Sequence, residues 1–139
     1  MPSLTFEIPG VPVPKGRARS TKSGHHYTPA KTKAYEQLVA LYARKEMKIA
    51  KPLTCPIDLE VYFDLPIPQS WSKVKRKMAE EDFLKHTTRP DADNLLKSIK
   101  DGCNGVLWAD DSQVWRVMAI KSYSTVPRAS VIVYWSDVP

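Results

Sequence analysis

Leu4, Phe6 and Ile8 alternate with polar neighbours in SLTFEIPG (residues 3–10), the period-two pattern of a half-buried strand. The stretch VPVPKGRARSTKSGHHYTP follows, broken by prolines and glycines, and it predicts a long basic loop without regular structure. Tyr35, Leu38, Val39, Tyr42 and Ile49 then recur near helical spacing, predicting a helix of about five turns over residues 30–50. In PIDLEVYFDLP, Ile57, Leu59, Val61 and Phe63 face one way and Asp58, Glu60, Tyr62 and Asp64 the other, so a second strand is expected.

SWSKVKRKMAEEDFLKH (residues 70–86) predicts a short helix capped by Ser70 or Ser72. Trp71, Val74 and Met78 would form its inner face, with Lys73, Lys75, Arg76 and Lys77 outside. Leu95, Leu96, Ile99 and Cys103 give a third helix an apolar stripe, with Asp91 or Asp93 as cap and Asn104-Gly105 as stop. QVWRVMAIKSYS and ASVIVYW are rich in β-branched and aromatic residues, and with TVPR between them they read as an antiparallel hairpin. The expected order is β-α-β-α-α-β-β. This is an α/β (α+β) class protein, a mixed sheet with packed helices in one domain over residues 1–139.

Composition narrows the class without naming a function. The 42% apolar and 26% charged content is that of a globular domain and excludes a disordered chain. No apolar run approaches the roughly 20 residues of a membrane helix. MPSLTFEIPG lacks the basic and apolar regions of a secretory signal, so a cytoplasmic protein is expected. Cys55 and Cys103 form no C-x-x-C pair and the three histidines show no ligand spacing, which argues against structural zinc.

The formal net charge of +6 is unevenly spread. Residues 1–51 hold ten Lys/Arg and three Asp/Glu, whereas residues 52–139 hold eleven and twelve. A polyanion-binding surface beside an acidic site would produce this asymmetry, although many small proteins are basic for no special reason.

The acids concentrate in RPDADNLLKSIKDGCNGVLWADDSQV (residues 89–114), which holds Asp91, Asp93, Asp101, Asp110 and Asp111. Asp93, Lys97 and Asp101 are four residues apart and stack on one helical face. A helix-to-strand return after Gly105 is expected to bring Asp110 and Asp111 back beside Asp91 and Asp93. Carboxylates gathered in this way repel unless a cation lies between them. Hard oxygen ligands without histidine or thiolate favour Mg²⁺, with Mn²⁺ as a substitute. On a basic protein the natural substrate is a phosphodiester, where such an ion can polarise phosphorus, activate water and stabilise the leaving oxygen. Lys97 would bind the phosphate or stabilise its developing charge.

Each acid also has an ordinary reading. Asp91 or Asp93 can cap a helix, Lys97 can form a solvated i,i+4 pair, and ADDSQ can be a turn. The loop glycine and distant Glu of an EF-hand are missing. A D-x-D sugar-nucleotide transferase is disfavoured by the short chain and by the lack of a glycine-rich phosphate loop.

The combination Asp-x-Asp-Asn-Leu-x-Lys, a further Asp, and then Asp-Asp-x-Gln-Val resembles the RusA-type Holliday junction resolvases of bacteria and their prophages. VPKGRARSTKSGHHYTPAKTKAYE is similar to the basic N-terminal region of phage-type members, and LPIPQSWSKVKRKMA to a short helix that several of them insert. The resemblance implies a homodimeric, Mg²⁺-dependent endonuclease of mixed α/β fold that resolves four-way DNA junctions by paired symmetrical nicks. It places the essential acids at Asp91, Asp93 and Asp111 and the essential lysine at Lys97. Asp110 would be a further metal ligand, and Asn94 and Asp101 also match.

Lys15, Arg17, Arg19, Lys22, Lys31 and Lys33 would then contact DNA backbones, with the helix cations at Lys73–Lys77 touching a junction arm or merely solvated. His25 and His26 would be loop or DNA-contact residues. Trp108 would be packing, and Trp115 and Trp135 core or interface. The alternative from another class is a non-enzymatic junction-binding protein whose aspartates only cap and brace.

Overall fold

Ile57, Leu59, Val61 and Phe63 are fully buried in strand β4 (Ile57–Pro66), and that strand is the centre of the fold. In this computed structural model, which describes residues 2–16, 19–20, 24, 26–27, 29–48 and 51–136, it pairs on both sides. Strand β5 (Val114–Ser124) runs parallel to it and strand β6 (Arg128–Trp135) antiparallel. Strand β1 (Ser3–Pro9) adds to the far side of β6, giving the order β1-β6-β4-β5. Val61 stands opposite both Ala119 and Val131, which sets the register of the three strands.

The last two strands therefore do not form the expected hairpin, because β4 separates them. The physical reason lies in β4 itself. It carries the most completely apolar alternating face, and a central position gives that face neighbours on either side, whereas a hairpin would leave it at an edge.

Helix α1 (Ala30–Met47) matches the five turns expected, and Ile49 lies outside the described residues. Helix α1 and helix α3 (Ala92–Cys103) pack on each other, and their buried residues join one core with the inward residues of the sheet. Tyr35 and Val39 from α1 meet Leu95, Ile99 and Cys103 from α3 in that core. Each fully buried Leu, Ile or Val contributes about 1.5–3 kcal/mol. The helices approach closely at Gly102, where a Cβ would lie only 2.7 Å from Val39 Cβ.

Helix α2 (Lys73–Glu80) begins at Ser72, whose Oγ accepts a 3.2 Å hydrogen bond from Lys75 N. Its expected inner face is corrected by the structure: Val74 is 72% and Met78 40% exposed. The helix instead packs through Ala79, with Trp71 and Leu84, onto Ile67 and Tyr123. Eight residues are too few to bury a longer stripe, and one alanine allows the close approach. Within the basic loop, strands β2 (Arg19–Ser20) and β3 (His26–Tyr27) make a minimal antiparallel ladder where no regular structure was expected. Gly24, between them in sequence, adopts φ +85°, a left-handed backbone conformation that glycine reaches without steric cost.

Candidate active site

The N-terminus of α3 is set against the sheet by a lysine and a loop. Lys121 Nζ, from β5, donates to Thr88 O at 2.8 Å and to Pro90 O at 2.9 Å. Lys15 N donates to Asn94 O at 2.8 Å, which ties the start of the basic loop to the helix's first turn. Asp91 occupies the N-cap position, yet its side chain makes no capping hydrogen bond. Asp93 follows in the first turn. Both are exposed, and among the described residues neither carboxylate has a hydrogen-bond or ion-pair partner. Two bare carboxylates thus stand at the positive end of a helix. Asp91 lines a cleft of about 490 Å³ together with Lys15, Arg89 and Asn94.

Lys97 lies one turn further along. Its ammonium does not pair with Asp93, four residues before it, but lies 3.0 Å from Asp101 Oδ1, four residues after it. Asp101 Oδ2 is 2.9 Å from Lys15 Nζ, which also lies 2.6 Å from Glu36 Oε1 on α1. Partial burial works to raise the Asp101 carboxyl pKa, but hydrogen bonds and charge from Lys15 and Lys97 outweigh it and hold it low. The converse applies to Lys15, where burial is outweighed by Glu36 and Asp101 and the ammonium pKa is raised. Around this network Ser98 donates to Val13 O, and Gly16 N donates to Thr32 Oγ1 at 3.0 Å. The loop from Val13 to Gly16 is therefore stitched to both helices.

The second acid pair occupies the opposite end of α3. Helix α3 stops at Asn104 and Gly105, the latter at φ +78°, and Leu107 and Trp108 plunge into the core. Trp108 Nε1 donates a 2.8 Å hydrogen bond to Asp111 Oδ1. Asp110 caps a short 3₁₀ turn (Asp111–Gln113), accepting from Ser112 N at 2.9 Å while Gln113 Oε1 accepts from Asp110 N. That hydrogen bonding depresses the Asp110 carboxyl pKa. Gln113 Nε2 fixes the turn to Leu53 O and Cys55 O. Burial, and the nearby Asp111 charge, raise the pKa of the Cys103 thiol at the last turn of α3.

The expected return of Asp110 and Asp111 to Asp91 and Asp93 within one chain is thus overturned. A 12-residue helix spans about 18 Å and the two pairs flank it. Among the described residues no three His, Cys, Asp or Glu side chains come together as a metal site. The reason is that Trp108, fully buried, pins the chain to the end of the helix where it emerges. The donor chemistry still suits a hard divalent cation, because each pair offers carboxylate oxygens and no softer ligand.

The expected DNA contacts fall into different settings. The Lys15 ammonium is held by two carboxylates. Arg17 and Lys22 lie outside the described residues, and Arg19 is placed only through its backbone in β2. Lys31 and Lys33 are exposed in the first turns of α1, which has no acid there. On α2, Lys75 sits 4.0 Å over the Trp71 ring and Lys77 lies 3.9 Å from Glu81. Sequence reasoning missed Lys121 and the Trp108 indole as supports of the two acid pairs. The i,i+3 spacing of Trp108 and Asp111 was the only sign of the latter.

The family profile described as Endodeoxyribonuclease RusA matches residues 9–134. An uncharacterized protein of Bacillus subtilis (strain 168), YqaN, is 40% identical over 139 residues, covering 96% of each chain.

Proposed function

The chain belongs to the RusA endodeoxyribonuclease family, and on that premise we propose that it is a Mg²⁺-dependent, structure-selective nuclease acting as a homodimer. It resolves four-way DNA junctions by paired symmetrical nicks. The observation that carries this reading is the state of Asp91 and Asp93. A structural aspartate at a helix start caps it, and neither of these does. Exposed carboxylates two residues apart, without a partner among the described residues, are instead what a hard cation would occupy.

Asp91 and Asp93 would hold that ion together with Asp111 and Asp110. A divalent cation there would supply charge stabilisation and an activated water for phosphodiester hydrolysis. Arg89 lines the cleft with Asp91, and Lys97, one turn along α3 from Asp93, would present a second cation to the phosphate. Trp108 orients Asp111 from the core.

The homodimer reading is supported by the sheet edge. Strand β5 is an edge strand of eleven residues, with Trp115, Val117 and Ile120 exposed along it. Long apolar edges invite pairing with another chain. The acid pairs lie at its two ends: Asp111 precedes Val114, and Lys121 holds the segment that leads to Asp91. Positions 114 and 121 are about 23 Å apart along a strand. Two β5 edges paired antiparallel about a two-fold axis would bring the Lys121 end of one strand beside the Val114 end of the other. Asp91 and Asp93 of one chain would then approach Asp110 and Asp111 of the second, twice per dimer. Two equivalent sites suit paired nicks.

Incubation of a synthetic four-way junction with the protein, in Mg²⁺ or in EDTA, tests the reading. Symmetrical nicks in Mg²⁺ alone, absent with Asp93→Asn, are expected. Junction binding without metal-dependent cleavage would instead leave a binding protein with structural aspartates.

A further inference from the structure

We propose that Asp101 is a positioning residue that holds the Lys97 ammonium away from Asp93, with Lys15 as the fixed counter-charge behind it. The inference rests on the reading of Asp93 as a metal ligand and of Lys97 as the lysine of the nuclease site. Lys97 has an acid four residues away on either side, and the structure shows which it takes. An acid N-terminal to a lysine at i,i+4 is the better-oriented pair in a helix, so intrinsic preference favours Asp93. The ammonium nevertheless lies 3.0 Å from Asp101, C-terminal to it.

Something outside the helix reverses the preference. Asp101 is not a freely moving surface acid, since its side chain is only 21% exposed and its other oxygen is held by Lys15. Lys15 is held in turn by Glu36 on α1 and through its own backbone by Asn94. The carboxylate that receives Lys97 is therefore placed by three elements, the basic loop, α1 and α3. Lys97 itself is 54% exposed and long, so without that anchor it would sample many rotamers, including those that reach Asp93.

The consequence is chemical. An ammonium on Asp93 would neutralise a carboxylate needed for a divalent cation and would occupy the cation's place. With the ammonium on Asp101, Asp93 stays bare, while Lys97 remains about one helical turn away, where it can meet a phosphate oxygen. Lys15 stays on the far side of Asp101 when Lys97 moves to substrate, so that carboxylate keeps an ammonium partner, one it shares with Glu36.

The test uses Asp101→Asn, Lys97→Met and the double variant, with thermal melts to establish folding. Mn²⁺ binding is measured directly by electron paramagnetic resonance without DNA, and junction cleavage is measured in parallel. Asp101→Asn is expected to bind Mn²⁺ about threefold to tenfold more weakly than wild type, because Lys97 then competes for Asp93. Lys97→Met and the double variant, which have no ammonium to misplace, are expected to bind it as wild type does. Cleavage by Asp101→Asn falls and recovers in part at high Mn²⁺, whereas cleavage by Lys97→Met does not.

Unchanged Mn²⁺ binding in Asp101→Asn would overturn the proposal, as would a loss that persists in the double variant, since Asp101 would then act without Lys97. No Mn²⁺ binding by wild type would instead sink the metal reading on which the proposal stands. Full cleavage by Lys97→Met would sink the assignment of the lysine.

Discussion

The indole nitrogen of Trp108 donates a 2.8 Å hydrogen bond to Asp111 Oδ1 from a ring that is fully buried. The pair joins the core to the candidate site, and stability and activity can be separated at it. Asp111→Asn keeps an oxygen acceptor for the indole, so it should melt as wild type does while losing cleavage. Asp111→Ala leaves a buried N–H unpaired and should cost about 1–3 kcal/mol in addition. Thermal melts and junction cleavage on both variants check this. Equal stability of the two would show that the indole does not depend on Asp111.

Asp91 gives the opposite separation. Removing an aspartate that caps a helix costs typically about 1 kcal/mol. Since the Asp91 side chain makes no cap bond, Asp91→Ala should destabilise by less than about 0.5 kcal/mol, yet abolish cleavage. Urea denaturation beside the cleavage assay checks both halves. A large stability loss with retained cleavage would return Asp91 to a purely structural role.

The Lys15–Asp101 contact predicts a particular pH dependence. The folded-state pKa of Asp101 lies below its ordinary 3.8, so its contribution is present above that pH and lost as pH falls through the folded value. The pKa of Lys15 is raised above its ordinary 10.5, so its contribution is full below that pH and lost as pH rises through the folded value. The stability difference between wild type and Asp101→Asn should therefore be flat through neutral pH and shrink in strong acid. Urea midpoints across the acid range measure it. A difference that grows as the pH is lowered would contradict the assignment.

The exposed edge of β5 predicts an association defect. Trp115 is 68% exposed and Val117 is exposed two residues on, a poor arrangement for a lone strand in water. Trp115→Lys with Val117→Lys should leave the monomer folded, shift sedimentation from dimer to monomer, and lower cleavage by at least about tenfold. A double variant that remains dimeric would place the interface elsewhere.

Much of the architecture was legible in the residues. The alternation in β1 and β4 is strong because each buries one face, and the stripe of α3 ended where Asn104 and Gly105 ended it. Strand partners were not legible, because alternation tells which face is buried and not which neighbour lies beside it. The hairpin expected of β5 and β6 failed for that reason. Val74 and Met78 failed because periodicity on an eight-residue helix cannot say how much of it meets the core. At the candidate site, the acid-rich segment and the family pattern were readable in the sequence. That the two acid pairs flank α3 was not, since it depends on where buried Trp108 holds the chain after the turn.

The most direct measurement mixes two inactive chains. Asp93→Asn and Asp111→Asn proteins, each inactive alone, are unfolded together, refolded and assayed on a four-way junction in Mg²⁺. If each site takes Asp93 from one chain and Asp111 from the other, the mixed dimer has one fully wild-type site, and nicking at a single strand returns. If both residues act within one chain, every site in the mixture carries a substitution, and the absence of any nicking would contradict the account.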